Sequence, residues 1–127
     1  HPETSGTEID IMESFKPGKV INHCLHYAGY GEDRVSKAVG KCAEGLDLDE
    51  YHTFAVDWDE KGYPFYIDGV EDGHIECEVS QIPEFILIST EVDGYRQAEH
   101  MPTDNAKAAA KAGDTFVVDY VRVFEGK

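Results

Sequence analysis

Apolar and polar residues alternate along much of this chain, and the alternation breaks at clusters of Gly, Asp, Asn and Pro. Period-two patterning of short runs between turn signals is the mark of half-buried β-strands. It predicts strands over residues 7–15, 19–27, 51–59, 63–69, 73–79, 84–93 and 115–125. Asp59-Glu60-Lys61-Gly62 reads as a hairpin turn, and Asp68-Gly69 and Asp72-Gly73 punctuate the turn that follows. Trp58, in line with Phe54 and Val56, is expected in the core. The one helix candidate is Asp104 to Ala112, rich in Ala and Lys, with Asp104 as N-cap and Gly113 at its end. No internal repeat or low-complexity tract interrupts the pattern. Many short strands and little helix indicate an all-β sandwich.

The first predicted strand carries the candidate chemistry. Thr7-Glu8-Ile9-Asp10-Ile11-Met12-Glu13-Ser14-Phe15 interleaves three carboxylates with apolar side chains. Glu8 and Asp10 share one strand face, while Ile9 and Ile11 point the other way into a core. Glu13 has the opposite parity, so a regular strand would send it to the wrong face. A one-residue bulge near Ile11-Met12 would return it to the Glu8 face, and bulges often sit beside active sites. Like charges gathered on one face disfavour folding, so they need a reason. Paired carboxylates are the usual machinery for cleaving glycosidic bonds: about 5–5.5 Å apart for retention, about 6.5–9.5 Å for inversion. Four regular strand steps span roughly 13 Å between α-carbons, so spacing alone does not select between the two. The plain alternative is a solvated face of an acidic protein.

Glu8-Ile-Asp-Ile-Met-Glu13 resembles the signature of glycoside hydrolase family 16 in its bulged, laminarinase-like form. The resemblance continues in order. Ile21 to Gly31 resembles the family's strand and His-containing, Gly-rich turn after the catalytic strand. Tyr51 to Trp58 with Phe65 to Gly69 resembles its next hairpin, and Asp119 to Phe124 its closing strand. What the resemblance implies is a concanavalin-like β-jelly-roll sandwich and a retaining endo-β-glycanase. Glu8 would be the nucleophile, Glu13 the general acid and base, and Asp10 the partner that hydrogen-bonds Glu8 and shares its charge. His26 matches the family's substrate-contacting histidine beside the acid/base; a plain strand histidine is the alternative. Tyr27 and Tyr30 flank the Gly-rich turn and offer aromatic faces to pyranose rings. On the strand Phe85 to Val92, Leu87, Ser89 and Glu91 share a face that opens to a groove. The family usually carries Asn and a small residue where this chain has Ser89 and Glu91. Glu91 would bind sugar hydroxyls, or pair with Arg96 as surface structure. No cofactor is required by this chemistry. A structural calcium is common on the convex side of the family's domain, and Asp119 is the matching ligand position. Family domains are longer than 127 residues and place the catalytic strand near their middle, whereas here it begins at residue 8. The whole chain, 1–127, is therefore expected to be the C-terminal half of the catalytic domain, partial as a jelly roll, or else an unusually short version of it. Its expected partner is a complementary N-terminal half or a second copy of the chain.

Charge narrows the substrate. The formal net charge of −15 argues against nucleic acid, whose affinity comes from Lys and Arg at phosphates. It also disfavours sulfated or uronic-acid polymers, which a negative field repels, and leaves a neutral β-glucan. No run approaches the roughly 18 apolar residues of a membrane helix, so no membrane is expected; family resemblance implies an extracellular or periplasmic protein. Cys24, Cys42 and Cys77 permit at most one disulfide within the chain and do not fix the pair. His23-Cys24-x-His26 suggests a transition metal, but on a strand Cys24 and His26 share one face and His23 takes the other, so these three do not converge. The function expected is hydrolysis of β-1,3- or mixed-linkage β-1,3-1,4-glucan by double displacement. The alternatives are a non-catalytic carbohydrate-binding or structural half-domain, and a galactanase of the agar or carrageenan type.

Overall fold

A computed structural model of the 127-residue chain describes residues 1–14, 21–39, 46–47, 49–90 and 115–126. It divides into two units, His1–Phe85 and Ile86–Lys127. The first unit opens with a single helical turn, α1 (Pro2–Ser5), which the sequence pattern did not signal. Two three-stranded antiparallel sheets follow. One is β1 (Glu8–Glu13), β2 (Asn22–Tyr27) and β3 (Val35–Val39), in that order; the other is β4 (Phe54–Val56), β5 (Tyr63–Ile67) and β6 (Val70–Ile75). The architecture is all-β, a β-sandwich of the jelly-roll kind.

The inner faces follow from the alternation. Leu25, Tyr63, Phe65, Ile75 and Val79 form the buried cluster, with Ile9, Val39, Val56 and Cys77 packed against it. Both sheets contribute, with β1 against β4 and β3 against β6. His23 shares the inner face of β2 with Leu25. Its ring is fully buried and stacks on Phe65 with centroids 4.8 Å apart. Tyr63 is also fully buried; its hydroxyl accepts a hydrogen bond from the Ser80 backbone N–H at 2.8 Å.

The turns carry the backbone conformations their residues permit. Asp59 and Gly62 bridge, the Asp59 carboxylate accepts from the Lys61 N–H at 2.7 Å, and Gly62 has φ 136°. Asp68 and Gly69 have φ of 52° and 78° between β5 and β6, a two-residue hairpin with both centres left-handed. Asp72-Gly73, expected in a turn, lies instead within β6. The register passes from Phe65 opposite Gly73 to Tyr66 opposite Glu71, so Asp72 is the extra residue of a bulge.

Other expectations are corrected. β3 was not foreseen, and β4 covers only residues 54–56 of the run 51–59. Trp58 falls past the end of β4 and is 41% exposed rather than in the core; its indole N–H donates to the Ser80 carbonyl at 3.0 Å. In the second unit, and at its junction, the described parts of the predicted strands 84–93 and 115–125 form no ladder. Their apolar side chains, Leu87 and Phe124 among them, are exposed. Strand propensity describes fit to a pleated, half-buried surface, and without a neighbouring ladder it does not make a strand. The predicted helix 104–112 lies outside the described residues.

Candidate active site

The register of the first sheet lays out the site. Glu8 pairs with His26, and His26 with Ser36; Asp10 pairs with Cys24, and Cys24 with Ala38. Between Asp10 and Glu13 the register shifts, and Glu13 pairs with Asn22. Three steps on β1 thus match two on β2. Asn22, Cys24 and His26 have one parity, so Glu8, Asp10 and Glu13 all come to the outer face of the sheet, away from Ile9, Leu25 and His23. The register shift lies where the parity of Glu13 required it. The carbonyl of Ile11, inside the shift, accepts a hydrogen bond from the buried Nδ1–H of His23 at 2.6 Å. His23 Nε2 in turn lies 3.3 Å from an Asp72 carboxylate oxygen, inside the β6 bulge.

On the outer face the side chains interlock. The Tyr30 hydroxyl donates to Glu8 Oε2 at 2.6 Å, and this hydrogen bond to a carboxylate is the main cause that raises the Tyr30 pKa above the usual phenol value. Tyr30 is 79% exposed, so most of its surface remains open, and the Arg34 guanidinium sits 5.6 Å from its ring centre. His26 is hydrogen-bonded through Nδ1 to Ser36 Oγ at 2.6 Å, and its Nε2 lies 3.3 Å from Asp10 Oδ2. Cys24 Sγ is 3.9 Å from His26 Nδ1. Burial pushes the Cys24 thiol pKa up, and the negative charges of Asp10 and Glu13 push it further. Tyr27 is half-buried at the end of β2, opposite Val35.

The structure therefore brings Glu8, Asp10, Glu13, His26 and Tyr30 to one sheet or its adjoining turn. Ser89 and Asp119 belong to the second unit, where both are exposed. Glu91 lies outside the described residues, as do Arg96 and Cys42. Among the described residues, no three ligand atoms of His, Cys, Asp or Glu gather around Asp119. Cys24 and Cys77 are free thiols. Sequence reasoning missed Ser36, Asn22 and the contacts His23 makes with the Ile11 carbonyl and Asp72. The signal for Ser36 was present: Val35-Ser-Lys-Ala-Val39 alternates cleanly and is long enough for a strand.

Chemically, this face offers carboxylates at three positions, a phenol donating to one of them and an imidazole beside another. One group can attack or stabilise a cationic centre while another exchanges a proton. Residues 2–120 match the family model described as Glycosyl hydrolases family 16. No curated protein and no solved structure matches the chain.

Proposed function

The chain belongs to glycosyl hydrolases family 16, a family of glycoside hydrolases acting on β-glycans, and on that premise we propose a retaining endo-hydrolysis of β-1,3- or mixed-linkage β-1,3-1,4-glucan. The observation that carries the reading is the register shift that aligns Glu13 with Glu8 and Asp10 on one face. Glu8 attacks the anomeric carbon as the leaving oxygen takes a proton from Glu13, giving a glycosyl ester on Glu8. Glu13, now a carboxylate, takes a proton from water, whose oxygen attacks the anomeric carbon and releases Glu8. Tyr30 supports this assignment because its donated hydrogen bond stabilises the Glu8 carboxylate when it departs from the ester. His26, braced by Ser36, holds Asp10 beside the reacting pair. The acidity of the chain favours a neutral glucan.

The test is a pair of variants. Glu8→Gln should abolish hydrolysis of laminarin-type and lichenan-type glucan, and a mechanism-based glycosyl trap should label Glu8. Glu13→Ala should be rescued by azide or by substrates with activated leaving groups, which bypass acid catalysis. NMR of early products should show the retained anomer. An inverted anomer would overturn the double displacement, and preference for agarose or carrageenan would overturn the glucan assignment.

A further inference from the structure

One group of side chains on the outer face is not needed by that chemistry as a group. Asp10, Cys24 and His26 each offer a ligand atom, and these atoms all lie within 4.8 Å of one another. The topology explains the convergence. Asp10 and Cys24 are directly opposed across β1 and β2, and His26 stands two residues from Cys24 on the same face. The glycosidase chemistry uses carboxylates and gives a thiol no task. Yet the thiol is the most buried of the three, while Asp10 and His26 keep side-chain exposures of 18% and 15%. The sulfur thus lies at the buried end of the group, and the two partly exposed side chains lie at its outer end.

We propose that Asp10, Cys24 and His26 form a site for a thiophilic divalent cation of the zinc class. Tetrahedral zinc takes sulfur at about 2.3 Å and nitrogen or oxygen at about 2.0–2.2 Å, which sets ligand atoms roughly 3.3–3.8 Å apart. The Asp10 Oδ2–His26 Nε2 separation of 3.3 Å meets that requirement, and the ligand atoms of all three residues lie within 4.8 Å of one another, so closure around the ion asks for a small inward movement of the Cys24 sulfur. With Nε2 as the ligand, Nδ1–H of His26 donates to Ser36 Oγ, the outer support that fixes ring orientation in metal sites. Ala38, opposite Cys24 on β3, projects only a methyl group beside the sulfur. Glu13 adds negative charge on the same face, which a dication neutralises. Binding exchanges the thiol proton for the metal and leaves one coordination position for water. This is a soft-ligand, three-point site, distinct in donor type from the all-oxygen calcium sites expected on a convex face. Occupancy withdraws Asp10 and His26 from the carboxylate pair, so zinc should switch hydrolysis off; this last consequence rests on the glycosidase reading above.

The full chain, freed of metal with a chelator, is titrated with cadmium as a spectroscopic substitute and then with zinc as competitor. A thiolate-to-cadmium charge-transfer band should grow to one equivalent and be displaced by zinc, but not by calcium or magnesium. Cys24→Ser should abolish it. Ser36→Ala should weaken binding by about tenfold or more, as loss of an outer-sphere partner does. Cys42→Ser and Cys77→Ser should leave it unchanged. A cadmium NMR resonance typical of one sulfur with nitrogen and oxygen ligands should appear in the unmutated protein, which tests the site without relying on a variant's folding. No band, an all-oxygen resonance, or a band that survives Cys24→Ser would overturn the proposal. Cys24→Ser should hydrolyse β-glucan as the parent does while losing its inhibition by zinc. If the metal-free protein hydrolyses no β-glucan but gives the sulfur-ligated resonance, the site stands and the glycosidase reading fails.

Discussion

Gly73 of β6 packs closely against Val39 of β3, and replacing it should reveal how tightly the sandwich holds the site. A Cβ built on Gly73 would stand 2.5 Å from Val39 Cγ2, 2.8 Å from Cγ1 and 3.2 Å from Cβ. Carbon atoms rest about 3.5–4.0 Å apart. Val39 is stiff at χ1, and rotating one methyl away brings the other in. The relief must come from β3 and β6 moving apart by about 1 Å, the distance from the clash to contact. Overpacking of this kind costs about 1–3 kcal/mol. Replacing glycine by alanine returns about 0.4–1 kcal/mol by restricting the unfolded chain. Gly73→Ala should thus lose about 1–2 kcal/mol, and at about 4 °C per kcal/mol the melting temperature should fall by about 4–8 °C. Val39→Ala removes two half-buried methyl groups and should cost about 1 kcal/mol alone. In the double variant the new methyl occupies the space the valine methyls left, so the combined loss should fall short of the sum by about 1 kcal/mol or more. Circular dichroism melts and urea titrations of the four proteins measure the cycle. Additivity within about 0.5 kcal/mol would show that β3 and β6 do not meet at this point and would refute the packing argument.

Tyr63→Phe should cost about 1–3 kcal/mol in urea unfolding, because the buried Ser80 N–H loses its acceptor; a change near zero would mean that this N–H finds another partner. His52 and Asp68 should give stability a pH window. His52 Nδ1 faces the Asp68 carboxylate at 2.7 Å and its Nε2 faces the Asp47 carbonyl at 2.9 Å, so both ring nitrogens point at acceptors and the imidazolium is favoured. The Asp68 hydrogen bond raises the His52 pKa from 6.5, so its contribution is complete below that value and is lost as pH rises through the raised one. The Thr53 N–H and then His52 lower the Asp68 pKa from 3.8, so its contribution is present above that value and is lost as pH falls through the lowered one. Melting temperatures of the parent and His52→Gln should differ most between these limits and converge in mild alkali; a gap that stays constant with pH would remove His52 from the account.

The parts of the fold legible in the sequence were those where period-two patterning met a local turn code. Asp68-Gly69 permits the left-handed pair a short hairpin needs, and β5 and β6 flank it. Asp72-Gly73 carries the same letters and is not a turn, because Gly73 is demanded by Val39 on the other sheet, a contact between residues far apart in sequence. Trp58 failed for a related reason. Its parity with Phe54 and Val56 holds only while the strand continues, and β4 stops at Val56. Among the described residues of the second unit, alternation overpredicted strands, since a ladder is made by two partners and a sequence run describes one.

The candidate site was legible as parity, and its support was not. Counting residues required a bulge between Asp10 and Glu13, and the register shifts there. The same counting turned His23 away from Cys24 and His26, and His23 does face the core. What counting could not reach is the task His23 performs inside. Its imidazole joins two irregularities in two sheets, donating to the Ile11 carbonyl in the β1 shift and lying against Asp72 in the β6 bulge. Leaving a buried polar atom unsatisfied is costly, and here Nδ1 is satisfied by the Ile11 carbonyl while Nε2 makes no hydrogen bond among the described residues and stands 3.3 Å from the Asp72 carboxylate. The inner face thus fixes the irregularity that the outer face uses: without the Ile11 shift, Glu13 would turn inward with Ile9, and Glu8 would lose its facing carboxylate. Two bulges tied through one buried histidine place a pair of acids that no regular strand could put on one side.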